Sequence, residues 1–347
     1  MTKETPPAEL GNVMVPDLAW VAKVSEPALE PDLPIVDPHH HLWQRAGNDY
    51  LFHDLLADTQ TGHNIVGTVF VDCHSMYRKD GPAELRCIGE TEFANGVAAM
   101  SASGLYGNLR ACDGIVGHVD LRLGSKAGAV LDAQIAAGNG RFKGIRYQTG
   151  WDADPGIRNS RTDPTAELTR DKSWRTGFAE LAKRGLTFDA WLYHPQLAEI
   201  AELADAFPGT PIVLDHVGGP LGYAGYAGRH AEVRATWKKS MADLAKRRNI
   251  VVKVGGLGMA MGWFDFYQQP TPPGSQALAE AFKPWVETCI DLFGVDRCMF
   301  ESNFPVDKIT SGYGVLWNAF KRLASGASAA DKGALFAGTA RRVYKLA

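Results

Sequence analysis

Short apolar runs recur along the chain, with gaps between them long enough for a helix. Eight read as strands: Pro34–Asp37, Val66–Cys73, Ile115–Leu121, Phe142–Tyr147, Leu186–Tyr193, Pro211–Asp215, Ile250–Val254 and Cys298–Ser302. "PIVLD" and "IVVKV" are apolar without alternation, the pattern of strands buried on both faces. Between most runs, apolar positions fall three and four apart. "WRTGFAELAKRG" closes on Gly185, which suits a helix C-terminus, and "PQLAEIAELADAFPG" stops at Pro208-Gly209. Helical patterns also lead into the seventh and eighth runs. Another closes the chain, opened by Ser328 with Asp331 three residues on.

Alternating strands and helices predict a parallel sheet. Eight such units predict an α/β protein, a single-domain (β/α)8 TIM barrel over residues 33–347. An open doubly wound sheet is the competitor, but no G-x-G-x-x-G or P-loop follows the first run. Residues 1–32 are rich in Pro, Glu and Ala and weakly periodic, and read as an N-terminal arm draped over the barrel. The stretch 255–275, "GGLGMAMGWFDFYQQPTPPGS", is a lid candidate.

Composition narrows the partners. The 36 basic and 39 acidic residues leave a net charge of −3, with no electrostatic footprint for nucleic acid or an anionic membrane. No apolar run approaches the roughly 20 residues that span a bilayer, and the start lacks a signal-peptide pattern. Five dispersed cysteines without C-x-x-C fit a reducing, cytoplasmic setting. The expected partner is a small molecule, and a homo-oligomer is left open.

The ten histidines change the picture, because several fall where a barrel keeps its chemistry, at the C-terminal ends of strands. The first run ends in "VDPHHHLW", with His39 and His41 on one side and His40 on the other. The second ends in Asp72 and His74, the fourth in Arg146, the fifth in His194, and the sixth in Asp215 and His216. The seventh carries Lys253. The eighth leads to Glu301, Asn303 and Asp307. An H-x-H pair presents two imidazoles to one point, and a third histidine would leave a metal with an open position. Taken singly, each has a plainer reading as a turn, cap or core group. His74 and His118 read as structural polar groups, and His53, His63 and His230 carry no assigned role.

"DPHHHLW", "KGIRYQ", "HPQL", "LDHVGGP" and "RCMFESNFPVDK", in this order from about Pro34 onwards, resemble the amidohydrolase superfamily (amidohydrolase family 2). They are most similar to its branch of sugar-acid lactonases and pyrone-dicarboxylate and sulfomuconolactone hydrolases. The resemblance implies a distorted (β/α)8 barrel, with His39, His41 and His194 as metal ligands and His216 as the sixth-strand catalytic histidine. It implies one divalent cation, Zn2+ or Mn2+, with metal-free working as the alternative. Where the superfamily usually has an aspartate after the eighth strand, this chain has Asn303, which is neither a base nor an anionic ligand.

The expected base is therefore Glu301, two residues before Asn303, with Asp307 as the other candidate. Arg146 suits a substrate carboxylate. Trp43, Trp151 and Trp263 are expected to wall the substrate, with Phe304 beside them, while Trp191 reads as core. Arg158, Arg161 and Arg170 read as a solvated loop. The expected reaction is opening of a lactone of a small carboxylic acid by activated water. The alternatives are a metal-dependent non-oxidative decarboxylase of an aromatic or unsaturated acid, and a barrel that binds without catalysis.

Overall fold

The computed structural model describes Gly11 and residues 13–346. All eight expected strands are present: β1 (Pro34–His40), β2 (Asn64–Val71), β3 (Arg110–Gly117), β4 (Phe142–Gln148), β5 (Thr187–Trp191), β6 (Ile212–Leu214), β7 (Ile250–Val254) and β8 (Cys298–Phe300). Each pairs in parallel with the next, in chain order, as a (β/α)8 barrel requires. Between β8 and β1 the closure lies past the strand ends. The Asn303 amide donates to the His39 carbonyl (2.9 Å) and the His41 amide to the Phe304 carbonyl (2.8 Å). These bonds set His39 and Asn303 side by side at the C-terminal mouth.

Two strands depart from their apolar pattern for local reasons. β3 starts at Arg110, well before the run at Ile115. Cys112 takes a left-handed φ of 52°, and the ladder to β2 shifts register in the same stretch, so alternation is lost there. β8 stops at Phe300. Beyond it, Ser302 donates its amide (3.0 Å) and hydroxyl (2.6 Å) to Asp37, which pulls the chain towards the end of β1.

Helices surround the strands: α1 (Leu18–Val21), α2 (Phe52–Thr59), α3 (Ile88–Ala102), α4 (Ala127–Gly138), α5 (Lys172–Ala182), α6 (Leu197–Ala206), α7 (His230–Leu244), α8 (Ser275–Phe293) and α9 (Tyr313–Leu323). The last helical pattern splits into α10 (Ala329–Gly333), a π-helical turn over Ala334–Gly338, and α11 (Thr339–Tyr344). Ser328 caps α10 by accepting the Asp331 amide (3.1 Å).

One end of the barrel is dry. Val36, Val69, Val71, Val116, Val213, Val251 and Met299 point inward and pack on Ala340, Val343 and Tyr344 of α11. Each buried side chain of this size stabilises by about 1.5–3 kcal/mol, so this end is packed core and the opposite mouth is free for chemistry.

The expected arm over residues 1–32 lies partly outside the described residues. Its later part runs along α9, where Lys321 donates to the carbonyls of Leu29 (2.7 Å) and Glu30 (2.8 Å). Asn318 donates to the carbonyl of Pro27 (2.9 Å), and Glu26 accepts the Ser275 amide (2.7 Å). All five cysteines are free and buried. Among the described residues, no helix is long and apolar enough to cross a membrane.

Candidate active site

The chain turns sharply where the strands end. His216, just after β6, has φ 52°, and Asn303, just after β8, has φ 54°. Left-handed backbone is costly for histidine, so the turn must be held by what the side chain contacts. His216 receives a carboxylate. Glu301 Oε1 lies 2.7 Å from His216 Nδ1 and also accepts the His216 amide (3.1 Å). The other oxygen, Oε2, is 2.9 Å from His39 Nδ1. Glu301 thus lies against two neighbouring histidines, one from β1 and one from the end of β6.

Donor-only cations flank both nitrogens of His39: Arg146 Nη1 lies 3.3 Å from Nε2 and Lys253 Nζ 3.2 Å from Nδ1. His41 Nδ1 lies 2.8 Å from the Val71 carbonyl and must donate to it, which makes its Nε2 a lone pair. These two Nε2 atoms face each other at 3.3 Å. His216, with Nδ1 turned to Glu301, keeps Nε2 as its free nitrogen. Burial pushes His39 and His41 well below the ordinary histidine range and His216 down to about 3. Burial likewise pushes the Glu301 carboxyl up, against the pull of Lys253.

A charged layer lies beneath. Lys253 is fully buried, with Nζ 2.6 Å from Asp189 Oδ2 and 3.2 Å from Asp215 Oδ1. Tyr344 of α11 donates to the same Asp189 oxygen (2.6 Å). The network places a cation 3.2 Å from His39 Nδ1. The sequence shows Lys253 and Asp215 at strand positions. That Lys253 also pairs with Asp189 could not be read there, because it depends on which side of the closed barrel each residue faces.

A cavity of about 110 Å³ opens at this mouth. Of the expected residues, His41, His216, Arg146, Asn303 and Trp43 line it. His39 lies directly beneath, with its ring centroid 4.5 Å from that of His216. Glu301 is fully buried and does not reach the wall, because both oxygens are turned to the histidines. Of the two, only His216 reaches the cavity wall. Asp307 is buried behind Asn303, accepting its Nδ2–H (2.7 Å) and the Gly258 amide (2.7 Å). Burial raises its carboxyl to about 8.

Other expectations need correction. His194 does not join the His39–His41 pair. Its Nδ1 takes the Leu221 amide (3.3 Å) and its ring packs on Tyr226, so it buttresses the β5–β6 loops. Trp263 donates to the Pro220 carbonyl and stacks on His230, and Trp151 hydrogen-bonds Gln196 through its amide; neither lines the cavity. Phe304 is core, packed on Tyr313. Trp191, expected in the core, lines the cavity and meets the His216 ring edge-on. Arg45, Arg158 and Arg161 also line it, whereas Arg170 pairs with Glu202 on the surface. His74 and His118 flank Asp72, which stands 3.8 Å from Arg146 Nε.

The Gly-rich start of the lid candidate is pressed on the site. A Cβ on Gly255 would meet Glu301 at 2.4–2.5 Å, one on Gly256 the His216 ring at 2.4 Å, and one on Gly258 the Asp307 carboxyl at 2.8 Å. Only glycine fits at these approaches.

The facing His39 and His41 nitrogens test the site for a metal. Two nitrogens bound to one tetrahedral zinc at roughly 2.0–2.1 Å stand about 3.3 Å apart. The Nε2 atoms are 3.3 Å apart, so the spacing of this pair fits a divalent ion once both nitrogens present their lone pairs. The remaining wall groups, His216 and Asn303, are neutral donors, and the Arg146 guanidinium is close by.

Such a mouth on an eight-stranded parallel barrel defines the class of the amidohydrolase superfamily. Residues 36–346 match the amidohydrolase family, and the chain belongs to it. It is 34% identical over 342 residues to y4mH of Sinorhizobium fredii, described as uncharacterized, covering 91% of this chain and 99% of that one. It is 26% identical to an L-fucono-1,5-lactonase of Burkholderia multivorans over 246 residues, 68% of this chain and 74% of the lactonase. A B. multivorans amidohydrolase solved with bound zinc shares the fold with a TM-score of 0.68 at 23% identity, covering 90% and 99% of the two chains.

Proposed function

We propose that this protein opens a lactone, or a similar cyclic ester, of a small carboxylic acid. The observation that carries the reading is the Glu301–His216 pair. A carboxylate holds Nδ1 of a cavity-wall histidine and leaves Nε2 free, the arrangement of a general base. Arg146 stands beside it to hold a carboxylate or to stabilise negative charge on the carbonyl oxygen. The similarity to L-fucono-1,5-lactonase supports the same chemistry.

In this reading His216 Nε2 takes a proton from water, and the hydroxide adds to the ester carbonyl. Glu301 offsets the charge of the imidazolium. The tetrahedral intermediate then expels the ring oxygen, to which His216 returns the proton. The products are a hydroxyl and a carboxylic acid on one open chain, and the acid releases its proton to solvent to become the carboxylate. His39 and His41 would hold a divalent ion, which when bound polarises the carbonyl and acidifies water. Neutral donors beside Arg146 would hold it loosely, which disfavours the decarboxylase alternative, a chemistry that asks for a firmly held cation.

The test is lactone hydrolysis by Glu301→Gln and His216→Ala. Loss of the base assembly is expected to lower kcat by about 10²–10⁴-fold with KM changed little. Undiminished hydrolysis in both variants would refute the mechanism. Absence of turnover across a lactone and carboxylic-acid panel would instead support a barrel that only binds.

A further inference from the structure

The cavity wall carries four arginines, Arg45, Arg146, Arg158 and Arg161, and no aspartate or glutamate among the described residues. Arg146 has a carboxylate nearby in Asp72 (3.8 Å). The guanidinium groups of the other three have no ion-pair partner within 4.0 Å among the described residues; Asp49 accepts the Arg45 backbone amide (2.8 Å) and not its guanidinium. Arg45 Nη2 donates to the Cys73 carbonyl at 3.0 Å and Arg161 Nη1 to the same oxygen at 3.3 Å. Two guanidinium groups are thus brought to one point. Arg45 is held there by Trp43, whose ring centroid is 3.9 Å from its Cζ. Burial and the Arg161 charge both weaken the proton affinity of Arg45, so each cation raises the cost of the other. A neutral sugar lactone would leave this repulsion in place. An anion would relieve it, and arginine forks match carboxylate geometry.

We infer that the ligand of this cavity is a dianion. One carboxylate lies on the Arg146 side of the floor, beside the reacting ester, and a second is held by Arg45 and Arg161 at the wall, with Arg158 adding charge at the mouth. The inference deepens the lactone reading and rests on it for the position of the ester, while the charge requirement belongs to the cavity itself. It sets this chain apart from relatives that act on uncharged sugar lactones.

Binding by calorimetry separates the two claims, because it needs no turnover. The probes are isophthalate and benzoate, which differ by one carboxylate on the same ring, and phenyl phosphate, which carries its charge at one end. The whole chain is titrated at low salt, alongside Arg45→Met and Arg161→Met. Isophthalate is expected to bind at least tenfold more tightly than benzoate, since its second carboxylate adds charge-assisted hydrogen bonds to the arginine forks. Each variant should lose about tenfold or more for isophthalate and change benzoate by less than about threefold. Equal binding of the two acids, or equal losses for both in the variants, would overturn the inference. Phenyl phosphate matching isophthalate would also overturn it, by showing that one doubly charged group suffices. A silent lactone panel together with tight isophthalate binding would sink the catalytic reading and leave this one standing.

Discussion

Asn303 and Asp307 form one unit at the residue scale. Asn303 occupies a left-handed position that asparagine tolerates, donates to Asp307, and presents a neutral amide to the cavity. Asp307 is buried, and its carboxyl is raised to about 8. A raised acid stabilises the fold fully below its unfolded pKa near 4, and loses that contribution as pH rises through 8. Replacing Asp307 with Asn removes the titration but also disturbs one of the two accepted hydrogen bonds. The stability deficit of Asp307→Asn is therefore expected to be largest near pH 5 and to shrink towards pH 8, read as the difference in urea midpoints from the unsubstituted protein. A deficit constant across that range would show that Asp307 does not titrate there.

Residues also differ in how far the sequence reveals them. His39, His41, His216 and Asn303 are legible because strand ends converge in any barrel of this kind. Arg45 and Arg161 are not, because the path of two loops decides that both meet the Cys73 carbonyl. His194 carries the same strand-end signal as the others, yet the β6 loop supplies the Leu221 amide to its nitrogen and holds it away.

At the scale of the element, the decisive piece is the segment after β7. Gly255, Gly256 and Gly258 let the backbone lie against Glu301, His216 and Asp307. The sequence shows these glycines only as a mobile-looking loop; that they face a strand end depends on the neighbouring β8. Gly256 is the sharpest probe. Its φ is +66°, and a Cβ would meet His216 Nδ1, Cγ and Cβ within 2.6 Å. Gly256→Ala must move either the loop or the imidazole. A displacement of about 1 Å costs on the order of a hundredfold in rate. The expected result is a kcat loss of at least about a hundredfold with the far-ultraviolet circular dichroism retained. Full activity would mean that His216 has room to move without consequence.

For the whole molecule, the arm and the post-β7 segment act together at the mouth. Gly11 and Val13 line the cavity, and the Gly11 amide donates to the Ala260 carbonyl (2.9 Å). Farther along, Trp20 donates to the Gln269 carbonyl (2.7 Å) and Lys23 to that of Pro270 (3.0 Å). The arm is fixed to the barrel mainly through Glu26–Glu30 on α8 and α9. Among the described residues of its earlier part, Val13 packs on the core while Val15 and Leu18 are 60% and 61% exposed. Stability and substrate access are thereby separable. Deleting residues 1–17 removes part of the cavity wall but keeps the Glu26–Glu30 contacts. Thermal unfolding should then shift by no more than about 2–4 °C, the scale of roughly 1 kcal/mol in a protein of this size or smaller. KM should rise about tenfold or more, because the lost wall admits water to the charged pocket and weakens its hold on anions. Lys321→Met, which cuts the arm's main anchor on α9, should lower the unfolding temperature further than the deletion does. If instead the deletion unfolds the protein and leaves KM unchanged in what remains, the arm is a structural strap and the cavity is complete without it.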